Sequence, residues 1–92
     1  MTKAMALDHG PQGIRVNAVC PGDTDTPMEH EDAKNQDMSW DEYVRWATEG
    51  RPMARMATPD EVARAVLFLA SEESSFITGA ALPVDGGGVA GY

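Results

Sequence analysis

The residues to which chemistry could be assigned are few: two histidines, one cysteine, two tyrosines and a run of carboxylates. Between Asp23 and Glu42 the chain carries eight acidic residues against a single lysine, Lys34. Asp23, Asp25, Glu29 and His30 offer donors for a divalent metal, but their spacing matches no ordered-ligand loop and lacks the glycine turn such a loop needs. No metal site is assigned, and the run reads as a solvated loop and helix face. His9 and His30 have no neighbour that would complete an acid/base dyad, and both read as surface histidines. Cys20 closes an apolar stretch and reads as a small buried hydrophobe, because no base or cation is visible that would make it a nucleophile. No catalytic residue is assigned. One short segment does present ligand-binding groups: Pro21-Gly22 turns the chain and exposes backbone donors and acceptors, and a nearby hydroxyl adds a donor for an anion. Pro-Gly and Thr-Pro are also ordinary loop punctuation, so the residues alone leave both readings open.

The elements that must position this segment follow from pattern. Residues 1–9 read as the tail of a helix rich in good helix formers, stopped by Gly10-Pro11. Ile14 to Cys20 reads as a short strand bounded by Gly13 and by Pro21-Gly22, with apolar members suited to burial on both faces. Residues 23–38 read as polar and irregular. Ser39 opens a helix with Glu42 completing a capping box, and Trp40, Tyr43, Val44 and Ala47 form one apolar stripe; Gly50 ends it. Trp46 lies off that stripe. Thr58, Pro59 and Glu61 mark the start of the last helix, whose apolar arc holds Val62, Ala63, Val66, Leu67, Leu69 and Ala70. Phe68 sits on its polar side, which fits either a scattered exposed ring or a subunit contact. Ala80 to Val84 reads as a second strand, closed by Asp85-Gly86-Gly87-Gly88 and followed by a loose tail from Val89 to Tyr92. Strand, excursion, helix, strand is a βαβ unit with parallel strands and a right-handed crossover.

Composition bounds the function. With 92 residues the chain makes one small domain and buries a modest share of its surface. A net charge of -8 repels phosphate backbones and anionic lipids, so neither nucleic acid nor membrane partners are expected. No window approaches the apolar run of a membrane span, and Met1-Thr2-Lys3-Ala4 lacks the apolar core of a signal peptide. A single cysteine allows no internal disulfide and fits a reducing cytosol, so a cytoplasmic location is expected.

Three stretches together resemble one family, the classical short-chain dehydrogenases/reductases. Ile14-Arg15-Val16-Asn17-Ala18-Val19-Cys20-Pro21-Gly22 with Thr26-Pro27-Met28 resembles their sixth-strand motif. Pro52 to Ala63, PMARMATPDEVA, resembles the entry to the helix before their closing strand, and Phe76-Ile77-Thr78-Gly79 with Val84-Asp85-Gly86-Gly87 resembles that strand. The resemblance implies an α/β fold: the C-terminal βαβ portion of a Rossmann-type, doubly wound parallel sheet. Its parts are a helix tail (1–9), a strand with its Pro-Gly turn (14–22), a substrate loop or lid (23–50), a long helix (58–73) and a closing strand (80–85). It also implies an NAD or NADP cofactor held at Pro21, Gly22, Thr24 (through its backbone) and Thr26 (through its hydroxyl), and an alcohol or ketone substrate. A homo-oligomer through the last helix and strand, around Phe68, is implied as well. The family usually carries a bulky apolar residue and then an aliphatic one after Pro-Gly, whereas this chain has Asp23 and Thr24.

The family's tyrosine, its lysine four residues later, its serine and its glycine-rich turn have no counterpart here. Neither Tyr43 nor Tyr92 has a lysine at that spacing, and Lys3 matches a position beyond the catalytic lysine on the same helix. The chain thus reads as the C-terminal third of an NAD(P)-dependent oxidoreductase, beginning mid-helix past the active site. Hydride transfer by the chain alone is not expected, and in isolation it should be unstable or self-associating. The second reading is a non-enzymatic module acting as an isologous dimer. A complete enzyme of different chemistry ranks last.

Overall fold

The computed structural model describes residues 1–90; Tyr92 and the end of the tail lie outside the described residues. The elements run α1 (Thr2–His9), β1 (Ala18–Pro21), α2 (Pro27–Asn35), α3 (Trp40–Thr48), α4 (Pro59–Ala70) and β2 (Ala81–Val84), with 3-10 turns at Gly10–Gln12 and Glu72–Ser74. β1 and β2 pair in parallel, Ala18 opposite Ala81 through Pro21 opposite Val84, as the βαβ reading requires.

Both capping boxes form. Ser39 accepts from Glu42 N at the start of α3 and Thr58 accepts from Glu61 N at the start of α4, with each glutamate reaching back to the cap's backbone. These bonds satisfy amides that the first helical turn leaves without partners. The stripe on α3 also holds. Tyr43 is buried with Ala33 and Met56, and Trp40, Val44 and Ala47 pack around them.

Four expectations are corrected. Residues 27–35 are not irregular but form α2: Pro27 presets the first helical φ, and Glu29 and Lys34 suit the two ends of the helix dipole. Gly10 does not stop α1. It keeps right-handed angles (φ -53, ψ -45), free of the Cβ that would clash with the Pro11 ring, and the left-handed stop comes at Gly13 (φ 77). The first strand begins at Ala18 rather than Ile14, because before it one backbone bond, from Gly79 N–H to Val16 O, is mixed with side-chain bonds that interrupt the ladder. Val16 N–H donates to Thr78 Oγ1, and Asn17 both donates to Ile77 O and accepts from Ala80 N. The last helix ends at Ala70, short of residue 73, where Ser71 turns to extended backbone before the 3-10 turn.

The shape is that of a piece of a sheet fold. The radius of gyration is 16.2 Å, against about 12 Å for a compact domain of this length. The accessible surface is 6557 Å², against roughly 5,200 Å² expected for this mass. Much of the excess is apolar. No residue of α4 is buried, and its Val66 and Leu67 are 50% and 68% exposed.

Candidate functional site

The site is built where β1 and β2 end side by side. Gly22 N–H donates to Val84 O at 3.0 Å, continuing the ladder one residue past the strands. A Cβ on Gly22 would stand 2.8 Å from the Asp85 Cβ, so glycine is required here by close approach of the two chains. Past the turn, residues 23–25 run beside Ala57: Ala57 N–H donates to Asp23 O at 3.0 Å and Asp25 N–H donates to Ala57 O at 2.8 Å, with Thr24 and Ala57 as the bridged pair. In this parallel pattern the flanking residues make the bonds, so Thr24's own N–H and C=O face away. Among the described residues they have no hydrogen-bond partner. The Thr24 hydroxyl is turned back to Gly22 O at 3.1 Å. Thr26 is the N-cap of α2, yet its side chain makes no cap bond. Its hydroxyl therefore stays available, two residues along the chain from the unpaired peptide edge of Thr24. The four sequence-assigned residues, Pro21, Gly22, Thr24 and Thr26, thus form one continuous rim at the carboxyl end of the sheet, where open α/β sheets bind ligands.

Two helices stand over this rim. His30 on α2 lies 2.7 Å from Asp25 Oδ1, and its ring stacks on Trp40 at 3.6 Å. The expectation that His30 has no dyad partner is thus corrected: one turn of α2 folds the imidazole back over the segment that precedes it. His9 bonds only Gln12, and Cys20 is exposed, since nothing in the described chain packs over the end of β1. Deeper in the lid, the Tyr43 hydroxyl donates to the carboxylates of Glu29 and Asp32, at 2.5 and 2.7 Å. Hydrogen bonding to Glu29, then to Asp32, holds the phenol well above its ordinary pKa. Behind the rim, Arg55 grips Glu61 with two bonds of 2.9 Å, which with the Thr58 amide lowers the Glu61 carboxyl to about 2 and raises the Arg55 guanidinium. Ser39 likewise lowers Glu42. No group of three or more metal-ligating side chains gathers among the described residues.

Two clefts flank the rim. One, of about 340 Å³, lies under the glycine turn after β2, and a wider one of about 850 Å³ lies in the lid between α2 and α3, with Tyr43 and Trp46 in its wall. Trp46, off the apolar stripe, is 55% exposed there. The sequence reading overlooked Arg51 and Arg15. Arg15 had a legible signal, a charge inside an apolar strand; Arg51 had none, because its partner is 28 residues away.

A family profile described as enoyl-(acyl carrier protein) reductase matches residues 1–88. The chain belongs to the short-chain dehydrogenase/reductase family. An uncharacterized oxidoreductase of Schizosaccharomyces pombe is 47% identical to it over 91 residues, which cover 99% of this chain and 34% of that protein. Meso-2,3-butanediol dehydrogenase of Serratia marcescens is 44% identical over 91 residues, covering 98% and 33%. A crystal structure of a short chain dehydrogenase family protein from Francisella tularensis superposes with a TM-score of 0.87 at 42% identity, covering 98% of this chain and 39% of that one. This short-chain dehydrogenase/reductase chain therefore spans about a third of the length of the curated relatives it matches, and its two parallel strands are part of their Rossmann sheet. No helix among the described residues is long and apolar enough to cross a membrane.

Proposed function

We propose that the chain forms the nicotinamide-facing wall and the substrate lid of an NAD(P)-dependent oxidoreductase acting on an alcohol or carbonyl compound. The observation that carries this reading is the unpaired peptide edge of Thr24. An N–H and a C=O side by side at a sheet rim complement a carboxamide, which presents one acceptor and one donor in the same plane. Pro21-Gly22 shape the rim, and the free Thr26 hydroxyl adds a donor toward carboxamide or pyrophosphate. When bound, the cofactor would accept the hydride from an alcohol or supply it to a carbonyl; the residues described here bind and orient it and exclude water from above. Acid/base chemistry is left to groups outside this chain, so the 92 residues alone turn nothing over. The single cysteine fits a reducing compartment, and the cytoplasm is the proposed location.

A chimera tests this directly. Residues 1–92 are joined behind the first two-thirds of the Serratia butanediol dehydrogenase, and nicotinamide reduction by a diol is followed at 340 nm. Activity is expected in the chimera and absent from either part alone. Thr26→Val is expected to raise the KM for the nucleotide about tenfold, the worth of one hydrogen bond to a charged group. A chimera that folds but neither binds the nucleotide nor turns over sinks the reading.

The exposed face of α4 favours a second role, self-association. Ala63, Val66, Leu67 and Ala70 are all exposed along one face, and Phe68, 39% exposed, lies on the other side of the helix. Contiguous apolar surface of this kind is a contact surface, and a two-fold pairing would present the same helix from both copies. The pairing we propose uses the Phe68 side of the helix, and Phe68→Glu places a charge there, so light scattering is expected to show a lower mass than for the unmodified chain. An unchanged mass removes Phe68 from the interface.

A further inference from the structure

Asp23 stands where the family usually carries a bulky apolar residue, and the structure gives it a partner. Arg51 Nη2 lies 3.5 Å from Asp23 Oδ2, with the two side chains 37% and 28% exposed. Arg51 is placed by its own backbone: Gly50 turns the chain at φ 77, and Arg51 N–H donates to Thr48 O at 3.0 Å at the end of α3. A Cβ built on Gly88 would stand 2.6 Å from Arg51 Nη1, so the guanidinium lies against the backbone of the glycine turn after β2. One side chain thus ties together three segments: the rim at residues 23–26, the end of the lid, and the closing turn. Asp23 and Arg51 are also the two residues shared by the walls of both clefts.

We propose that Asp23 and Arg51 are positioning residues, a latch that fixes the end of the lid onto the ligand-facing rim and separates the lid cleft from the cleft under the closing turn. The functional meaning rests on the cofactor reading of that rim; the latch itself rests on the ion pair and its neighbours. At 3.5 Å the pair is longer than an optimal hydrogen bond and partly screened by solvent. Pairs of this kind shift an equilibrium only a few-fold. That is the size a lid latch needs, since a lid must open to admit and release what it covers. The pair also explains how the chain tolerates an aspartate after Pro-Gly: a charge there requires an answering charge from the lid.

Backbone hydrogen exchange on the 92-residue chain tests the latch with no nucleotide or substrate present. In Asp23→Asn and in Arg51→Gln, the amides of Ala57 and Asp25 are expected to exchange about threefold to fivefold faster than in the unmodified chain. The Ala18 amide, bonded to Ala80 O in the sheet, keeps its rate. The charge-exchanged protein, Asp23→Arg with Arg51→Asp, returns to within about twofold of the original, as a double-mutant cycle on a real pair must. Gly88→Ala alters no charge but displaces the guanidinium, and matches Arg51→Gln. The latch is overturned if the single variants exchange at the original rate, if the exchanged protein is as fast as both singles combined, or if Ala18 accelerates equally. An unmodified chain with no protection at Ala57 overturns it too. A negative result here leaves the chimera experiment untouched, and an inactive chimera leaves the exchange result standing.

Discussion

Arg15→Ala is expected to speed hydrogen exchange at Ala18 and Gly79 about a hundredfold, the largest loss from any single side chain in this protein. Arg15 spends its guanidinium on the far end of the crossover. Nη1 donates to Ser74 Oγ and to Ile77 O, and Nη2 donates to Ser71 O, all at 3.1 Å. Ser74 is itself 1% exposed and donates to Leu69 O and Ser71 O, so the arginine closes a network that fastens the end of α4 to the start of β1. Hydrogen bonds to a charged group stabilise by about 1.5–3 kcal/mol each, and all three are lost together, although Ile77 O keeps Asn17 and Ser71 O keeps Ser74 as donors. These contributions are not additive, and about 3 kcal/mol for the group corresponds to the hundredfold change. Arg15→Lys is expected to recover only a small part, because an ammonium lacks the planar fork with which the guanidinium reaches three acceptors from two nitrogens. An exchange rate in Arg15→Ala within a few-fold of the original would show that packing alone holds the strands in register.

Much of this architecture is legible in sequence because its signals are local. The capping boxes at Ser39 and Thr58 and the stripe from Trp40 to Ala47 are read from residues three and four apart, and each forms as expected. The rim at Pro21, Gly22, Thr24 and Thr26 is legible only through the family resemblance. The structure adds a physical basis that the residue types could not give: Ala57 occupies one side of the segment and leaves the Thr24 peptide edge on the other. What escapes is set by distant partners. α2 is hidden by polar residues that look like loop, since its only buried side chain is Ala33, packed under Tyr43 from the next helix. The His30–Asp25 pair depends on α2 existing, and the Asp23–Arg51 pair depends on where the lid ends. Cys20 reads as buried because its strand is apolar, and it is exposed because no described segment covers it. An apolar strand states that it will be covered; it does not state by what.

Tyr43→Phe carries the second large effect, and it acts on the lid alone. Tyr43 is 3% exposed, and its phenolic proton is shared by two carboxylates on α2, those of Glu29 and Asp32. Asp32 also accepts from Gln36 at 3.0 Å, while the Glu29 carboxylate has no other hydrogen-bond partner among the described residues. Removing the hydroxyl therefore leaves two anions side by side on one helix face with nothing between them, and α2 is expected to part from α3 roughly tenfold more often at pH 7. His30 on α2 stacks on Trp40 of α3 at 3.6 Å, so indole emission reports the separation of the two helices. The pH dependence gives the sharper check. Because Glu29 and then Asp32 raise the phenol above its ordinary value of 10.0, the folded lid prefers the protonated form. Its stabilisation is fully present below pH 10 and is lost as pH climbs through the raised value, where a phenolate would face two carboxylates. A titration from pH 7 to 12 followed by tryptophan emission is expected to show the lid opening on the alkaline side in the unmodified chain. In Tyr43→Phe the lid is already loosened at neutral pH, and that alkaline limb is gone. The same limb in both proteins would mean that another group drives the opening and that the carboxylate–phenol contact does not hold the two lid helices together.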